Sequence, residues 1–263
     1  RFVAIDASRV ESAVDETLAK SRAQIKVLEE RADGATWESL ASELQDIEEH
    51  LERVWSPVSH LNAVKDSEAF RAAVDACLPK LSAFHTEVGQ NLKLYSGYKQ
   101  IAADDGFAGL SAARQKIIKN AVRDFRLSGA ELEGDARKRF GEIASELSSL
   151  TNKFDQNLLD ATDGWFLDVK AQADLQGLPQ SAMDLAQAAA KEAGLEGWRF
   201  SLQAPSYVPF MMFCENRALR EKMYEAYVTR ASELGPNAGK FDNGPLMVKI
   251  LALRAEMAAL LGY

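Results

Sequence analysis

The sequence predicts a mainly all-α fold, an antiparallel bundle-like set of helices that carries one small antiparallel, hairpin-like sheet. Three observations lead there. Apolar residues recur every three or four positions through most of the chain, which gathers them on one side of a helix. Several of these runs begin at a serine or threonine cap and stop at glycine or proline. Only at 165–169 and 198–202 does the spacing fall to two, the period of a strand.

In chain order, Val10, Val14, Leu18, Ile25 and Leu28 lay out a first amphipathic helix, closed by Asp33-Gly34. Thr36 caps a second, whose stripe runs Trp37, Leu40, Ala41, Leu44, Ile47, Leu51, Val54, Trp55 and is expected to end at Ser56-Pro57. The opposite face carries Glu38, Glu43, Asp46, Glu49 and Glu52, a run read as a solvated face before a docking surface for a basic partner. From the Ser67 cap, Phe70 through Tyr95 keeps helical period for about eight turns, with a kink expected at Pro79. Asp104-Asp105-Gly106 reads as a turn, because the alternating acidic oxygens of a calcium loop are missing.

Ser111 opens a fourth helix, with Ile117, Ile118, Ala121, Val122 and Phe125 inward and Gly129 as its stop. A long fifth helix spans about 135–161, with a seam from Phe140 to Ala161 suited to an antiparallel partner within one bundle. Trp165, Leu167 and Val169 then alternate with polar or outward positions, a short helix covers about 181–193, and Trp198, Phe200 and Leu202 alternate again. Near the end, Leu219, Met223, Tyr227, Ala231 and Leu234 give a helix stopped by Gly235-Pro236. Pro245 starts a last helix, apolar on nearly every side to Leu261, which must be covered all round. The expected division is therefore a helical region over 1–163, a strand–helix–strand excursion over 164–204, and a helical segment over 205–263.

A chain of 263 residues can bury a substantial core as one large or two small domains. Its net charge of −8 argues against a nucleic-acid partner, which calls for a basic face. No apolar run approaches the roughly 20 residues of a membrane span, so no membrane partner is expected. The start at Arg1, without methionine and without a basic-then-apolar leader, suggests a trimmed chain. Two distant cysteines, Cys77 and Cys214, are expected as free thiols in a reducing, cytoplasmic setting.

The candidate chemistry is sparse. His50, His60 and His85 include no pair at the spacing that lets two imidazoles of one helix share a metal, and none is followed by glutamate. Cys77 and His85 lie loosely on one side of a helix, but two ligands do not make a site, and a core cysteine with a half-buried histidine is the ordinary explanation. Gly235-Pro-Asn-Ala-Gly239-Lys240 has three residues between its glycines and Phe241 after its lysine, which excludes a phosphate loop. One cluster stands out: Tyr207, Arg217, Arg220, Tyr224 and Arg230 supply phenolic and cationic donors able to grasp peptide carbonyls or a terminal carboxylate. The plainer expectation is that Arg217 and Arg220 pair with Glu221 and Glu225 along the helix and that the tyrosines pack inward.

The same region carries a family resemblance. P-S-Y-x-P at 205–209, N-x-A-L-R-E-x-M-Y-x-A-Y-x-T-R-A-S at 216–232, G-P-N-A-G-K-x-D-N at 235–243 and I-L-A-L-R-x-E at 250–256, followed by A-x-L-L-G at 258–262, closely resemble the segment that precedes the catalytic domain in the thimet oligopeptidase family of zinc metallopeptidases. S-P-V-S-H-L-N at 56–62 and L-D-A-T-x-G-W at 159–165 fit as well, so the resemblance covers nearly the whole chain. It implies the N-terminal, channel-forming part of a cytoplasmic zinc metalloendopeptidase that hydrolyses short peptides. The implied partners are the enzyme's own C-terminal catalytic domain and short peptides, with a dimer through the apolar helix 245–261 as a further possibility. Zinc belongs to the intact enzyme, with its ligands outside this chain, and the chain alone is expected to bind none and to be inactive. The family's H-E-x-x-H lies further along than these residues reach. The alternative is a non-catalytic helical protein-interaction module that shares the ancestry.

Overall fold

The computed structural model describes residues 5–65 and 67–263. Its contacts group the chain into two compact units, residues 1–149 with 253–263, and residues 150–252.

The first unit is helical. Helix α1, Ala7–Glu30, starts where Asp6 accepts the Ser8 amide at 2.9 Å, and packs its Val10, Val14, Leu18 and Leu28 stripe on α2 and α3. The Thr36–Ser39 capping box opens a short π-helical stretch, Trp37–Ser42, that runs directly into α2, Glu43–Val64. Contrary to the expected stop at Pro57, α2 continues for almost two further turns. The reason is the stripe itself: Val58 and Leu61 extend the buried row of Leu44, Ile47 and Leu51 on the same face. Proline removes one backbone bond, and the burial of two more side chains offsets it.

Helix α3, Glu68–Gly89, passes Pro79 in the same way and then ends. The expected eight-turn run is two helices, because Asn91 accepts the amides of Lys93 and Leu94, both at 3.1 Å, and starts α4, Leu92–Ala103. Gly97 lets α4 approach the Trp37–Ser42 stretch: a Cβ there would lie 2.6 Å from Leu40 Cδ2. The Asp104–Gly106 turn is present, with Asp104 accepting the Gly106 amide at 2.7 Å. Helix α5, Ala112–Leu127, and helix α6, Gly134–Asp163, follow. Phe84, Leu94, Ile118 and Cys77 sit at the centre of this core, where Phe125 meets the rings of Tyr95 and Tyr98 at 5.9 and 5.5 Å.

In the second unit, β1, Phe166–Val169, pairs antiparallel with β2, Trp198–Ser201, as expected, in a register that sets Phe166 opposite Ser201 and Val169 opposite Trp198. Asp168 and Arg199 face each other and form a two-pronged ion pair at 2.7 and 2.9 Å. Helix α7, Gln180–Glu192, connects the strands. Helix α8, Ala204–Phe213, was hidden in the sequence by Pro205 and Pro209; Pro205 suits its first turn. Helix α9, Arg217–Val228, stops six residues short of Leu234. The chain leaves it because Ala231 takes a left-handed φ of 50° and the Thr229 hydroxyl turns back to the Glu225 carbonyl at 2.6 Å. Gly235, at φ 78°, lies so close to Thr229 that a Cβ would fall 1.9 Å from its hydroxyl oxygen.

The core of this unit joins the sheet to α8 and α9 through Val169, Phe200, Leu202, Phe210, Cys214 and Met223, with Phe200 and Phe210 edge-to-face at 4.7 Å. Asn243, 1% exposed, ties the loop after α9 to α6: its amide nitrogen donates to the Phe154 carbonyl at 3.0 Å and its oxygen accepts from Asn157 at 2.9 Å. Helix α10, Gly244–Leu260, buries Ile250 and Leu253 but leaves Met247, Val248 and Leu251 exposed. Among the described residues, no helix is long and apolar enough to cross a membrane.

Asn243→Ala leaves the buried amide of Asn157 without its acceptor. The expected cost is about 1–3 kcal/mol in urea unfolding. A loss below about 0.5 kcal/mol, the size of an ordinary surface change, would show that the pair does not hold this loop.

Candidate functional site

The candidate residues lie on α8, α9 and the turn after them. Antiparallel packing of α8 on α9 is set by the short connection 214–216, where the Asn216 side chain accepts the Leu219 amide at 3.2 Å and starts α9. On these helices Tyr207 and Tyr227 stack, with ring centroids 4.0 Å apart and planes 15° from parallel. The Arg230 guanidinium carbon stands 3.6 Å from the centroid of Tyr227. Two groups so close to one ring centre cannot share a face, so Tyr227 is sandwiched between a phenol and a guanidinium. Arg230 is fixed by two further bonds, to the Tyr227 carbonyl at 2.8 Å and to the Thr162 hydroxyl at 3.2 Å.

The five expected residues divide. Tyr207 and Arg230 meet through Tyr227, and Tyr224, one turn from Tyr227 and 54% exposed, is near enough to act on the Tyr207 phenol. Arg220 does something else: it donates to the Cys214 carbonyl and closes the connection between α8 and α9. Arg217 is exposed. Neither arginine forms the expected ion pair with Glu221 or Glu225, and neither has any ion pair among the described residues. The sequence reading placed Tyr227 in the core and missed it as the centre of the stack. Its position three residues after Tyr224 and three before Arg230, on one helical face, was the available clue.

Electrostatically, burial pushes the Tyr207 phenol above the ordinary tyrosine value; Tyr227 and Tyr224 add to this and Arg230 opposes it. The Tyr207 phenol is therefore a neutral donor at neutral pH. No hydrogen bond within the described residues uses the hydroxyls of Tyr207, Tyr224 or Tyr227, which leaves three aromatic O–H groups and the Arg217 guanidinium for a ligand. Such groups recognise carbonyl and carboxylate oxygens. No nucleophile accompanies them: burial raises the Cys214 thiol, and the buried Cys77 thiol in the other unit is raised for the same cause. Among the described residues, no group of three or more His, Cys, Asp or Glu side chains is placed to hold a metal ion.

A family model for the N-terminal domain of neurolysin and thimet oligopeptidase matches residues 14–137. The chain is 51% identical to oligopeptidase A of Haemophilus influenzae over 228 residues, 87% of this chain and 34% of that protein. It is 49% identical to oligopeptidase A of Escherichia coli over 234 residues, 88% of this chain and 34% of that protein. The likeness to oligopeptidase A of Salmonella typhimurium, 45% over 262 residues, takes in 100% of this chain and 38% of the relative, and so includes α8, α9 and the loop beyond. The chain thus spans about a third of the length of the curated relatives it matches.

Because the folded Tyr207 pKa is raised, its contribution to stability is complete below the unfolded value of about 10 and is lost as pH rises through the folded value. Difference titration of phenolate absorbance between the chain and Tyr207→Phe isolates this group. Arg230→Met should move its transition to higher pH still, since Arg230 is the opposing charge. An unchanged or lowered transition would mean that the guanidinium does not act on this stack.

Proposed function

The chain belongs to the thimet oligopeptidase family, of which it is an N-terminal region, and from that premise we propose that it is the non-catalytic, channel-forming part of a zinc metallo-oligopeptidase acting on short peptides. The carrying observation is identity of 45–51% to oligopeptidases A of three bacteria along nearly all of the chain. In this reading, zinc is held by residues outside the chain, since those described here do not fit a metal; zinc would supply the activated water of peptide hydrolysis. The chain itself binds and orients. Tyr224 and Arg217, both exposed, take peptide carbonyls or a terminal carboxylate, while Tyr207 and Arg230 hold the Tyr227 ring in place. Positioning of this kind lowers a barrier by several kcal/mol without contact with the reacting bond.

The exposed apolar row of α10, Met247, Val248 and Leu251, is the surface proposed to meet the catalytic portion. A second copy of the chain covering it instead would appear as a dimer in sedimentation of the isolated 263-residue chain. The compartment proposed is the cytoplasm.

In the full-length enzyme, Tyr224→Phe should raise KM for short fluorogenic peptides about three- to tenfold, the value of one hydrogen bond, with bound zinc unchanged. Arg217→Met should do the same most strongly for peptides with a free C-terminus. Zinc loss in either variant, or unchanged kinetics in both, would remove these residues from substrate contact. Chelator-sensitive hydrolysis by residues 1–263 alone would overturn the non-catalytic assignment.

A further inference from the structure

A second concave site lies wholly within residues 44–128. It is a cavity of about 940 Å³ bounded by α2, α3, α4 and α5. Its floor is apolar and aromatic, built by Leu51, Phe84, Val88 and Phe125, and its rim is acidic. Asp46, Glu48, Glu49 and Glu52 on α2 and Asp124 on α5 line it, with no lysine or arginine among the lining residues. Arg53 neutralises Glu49 at 2.6 Å and Arg123 neutralises Asp124 at 2.7 Å. Asp46, Glu48 and Glu52 have no ion pair among the described residues.

An acidic helix face is ordinarily only a solvated one, and the sequence reading took it so. Tyr98 changes that. The residue is only 3% exposed, yet it lines this cavity, and its hydroxyl makes no hydrogen bond among the described residues. Nor is that hydroxyl sealed from solvent without a partner; among the described residues only Asn62 Oδ1 is. A buried tyrosine normally finds a partner for its O–H. Here the phenol opens into the groove, where burial first, and the charge of Glu48 second, hold the Tyr98 proton more tightly. Desolvation raises the Glu48 carboxyl, although the residue as a whole is exposed, and no cation among the described residues forms an ion pair with it.

We propose that this groove binds an alkylammonium group, whose charge is taken by Glu48, Glu52 and the Tyr98 hydroxyl and whose methylenes lie on Leu51, Phe84 and Phe125. The acceptor count matches: an ammonium has three N–H donors, and two carboxylates and a phenol oxygen supply three acceptors. The aromatic floor favours a cation on an apolar stem over a hydrated metal ion, and no three metal-ligating side chains are grouped here among the described residues. The chemistry is that of a free diamine or of a lysine side chain in a peptide. The site is separate from the α8–α9 cluster and does not depend on the peptidase reading.

Calorimetric titration of the 263-residue chain tests it, with cadaverine as one probe and N-acetyl-lysine methylamide as the other. Saturable binding of either probe supports the site, and the one that binds identifies the source. The norleucine counterpart, which has the stem without the charge, should not bind. Glu48→Gln with Glu52→Gln should weaken the bound probe about tenfold or more, and Tyr98→Phe, which keeps the ring in the core, about two- to tenfold. Circular dichroism and Tm checked on each variant separate lost binding from lost folding, and Asp135→Asn, remote from the groove, should leave affinity unchanged. Absence of saturable binding by both probes, equal binding of the norleucine counterpart, or unchanged affinity in the folded carboxylate double variant would overturn the proposal.

Discussion

The structure of the first unit depends on one constraint: the apolar stripe of α2 must stay buried along its whole length. At Pro57 that demand competes with backbone chemistry. Proline inside a helix costs about 3 kcal/mol through a lost hydrogen bond and crowding of the preceding turn. Burying Val58 and Leu61 contributes about 1.5–3 kcal/mol each, so the stripe wins and the helix continues. Helix α2 then reaches far enough to pack against both α1 and α3, the two helices on which the rest of this core is laid. The same helix also fixes where its acidic residues stand. Glu48, Asp46 and Glu52 border the groove because Leu44, Ile47 and Leu51 are held inward on successive turns.

Much of this was legible from spacing. The helical runs of α1, α2, α5, α6 and α10 and the period-two segments of the sheet showed clearly, because each stripe or alternation is long enough to define a period. The failures share a cause: termini and connections are decided by single side-chain hydrogen bonds, which periodicity does not record. Asn91 splits α3 from α4 by capping two amides, although the apolar spacing runs on through both helices. Thr229 and Ala231 end α9 early, and Leu234, expected on the helix, is left exposed in the loop. Helix α8 went unseen because its two prolines read as breakers, whereas Pro205 occupies a first turn that has no use for its missing amide.

The candidate site was legible in composition and illegible in partnership. Five donors were visible, but their assignment depends on which are already spent. Arg220 closes a turn on the Cys214 carbonyl, and Arg230 is held by a ring, a carbonyl and a hydroxyl. Neither role can be read from spacing, because the acceptors are backbone or come from distant residues such as Thr162. What remains is a set of phenols and Arg217, a donor surface suited to oxygen-rich ligands.

Tyrosine does different work in the two units, and the difference follows from its neighbours. Beside Arg230, the stacked pair Tyr207–Tyr227 sits in a field that opposes the upward push of burial on the phenol. Beside Glu48, Tyr98 meets a carboxylate that adds to burial, so its hydroxyl keeps its proton and offers its lone pairs to whatever enters the groove. In the two proposals, a positively charged neighbour accordingly sets the first group toward anionic or carbonyl oxygen, and a negatively charged one sets the second toward a cation. One side-chain type is thereby proposed for two opposite recognition chemistries, with the nearest fixed charge deciding which.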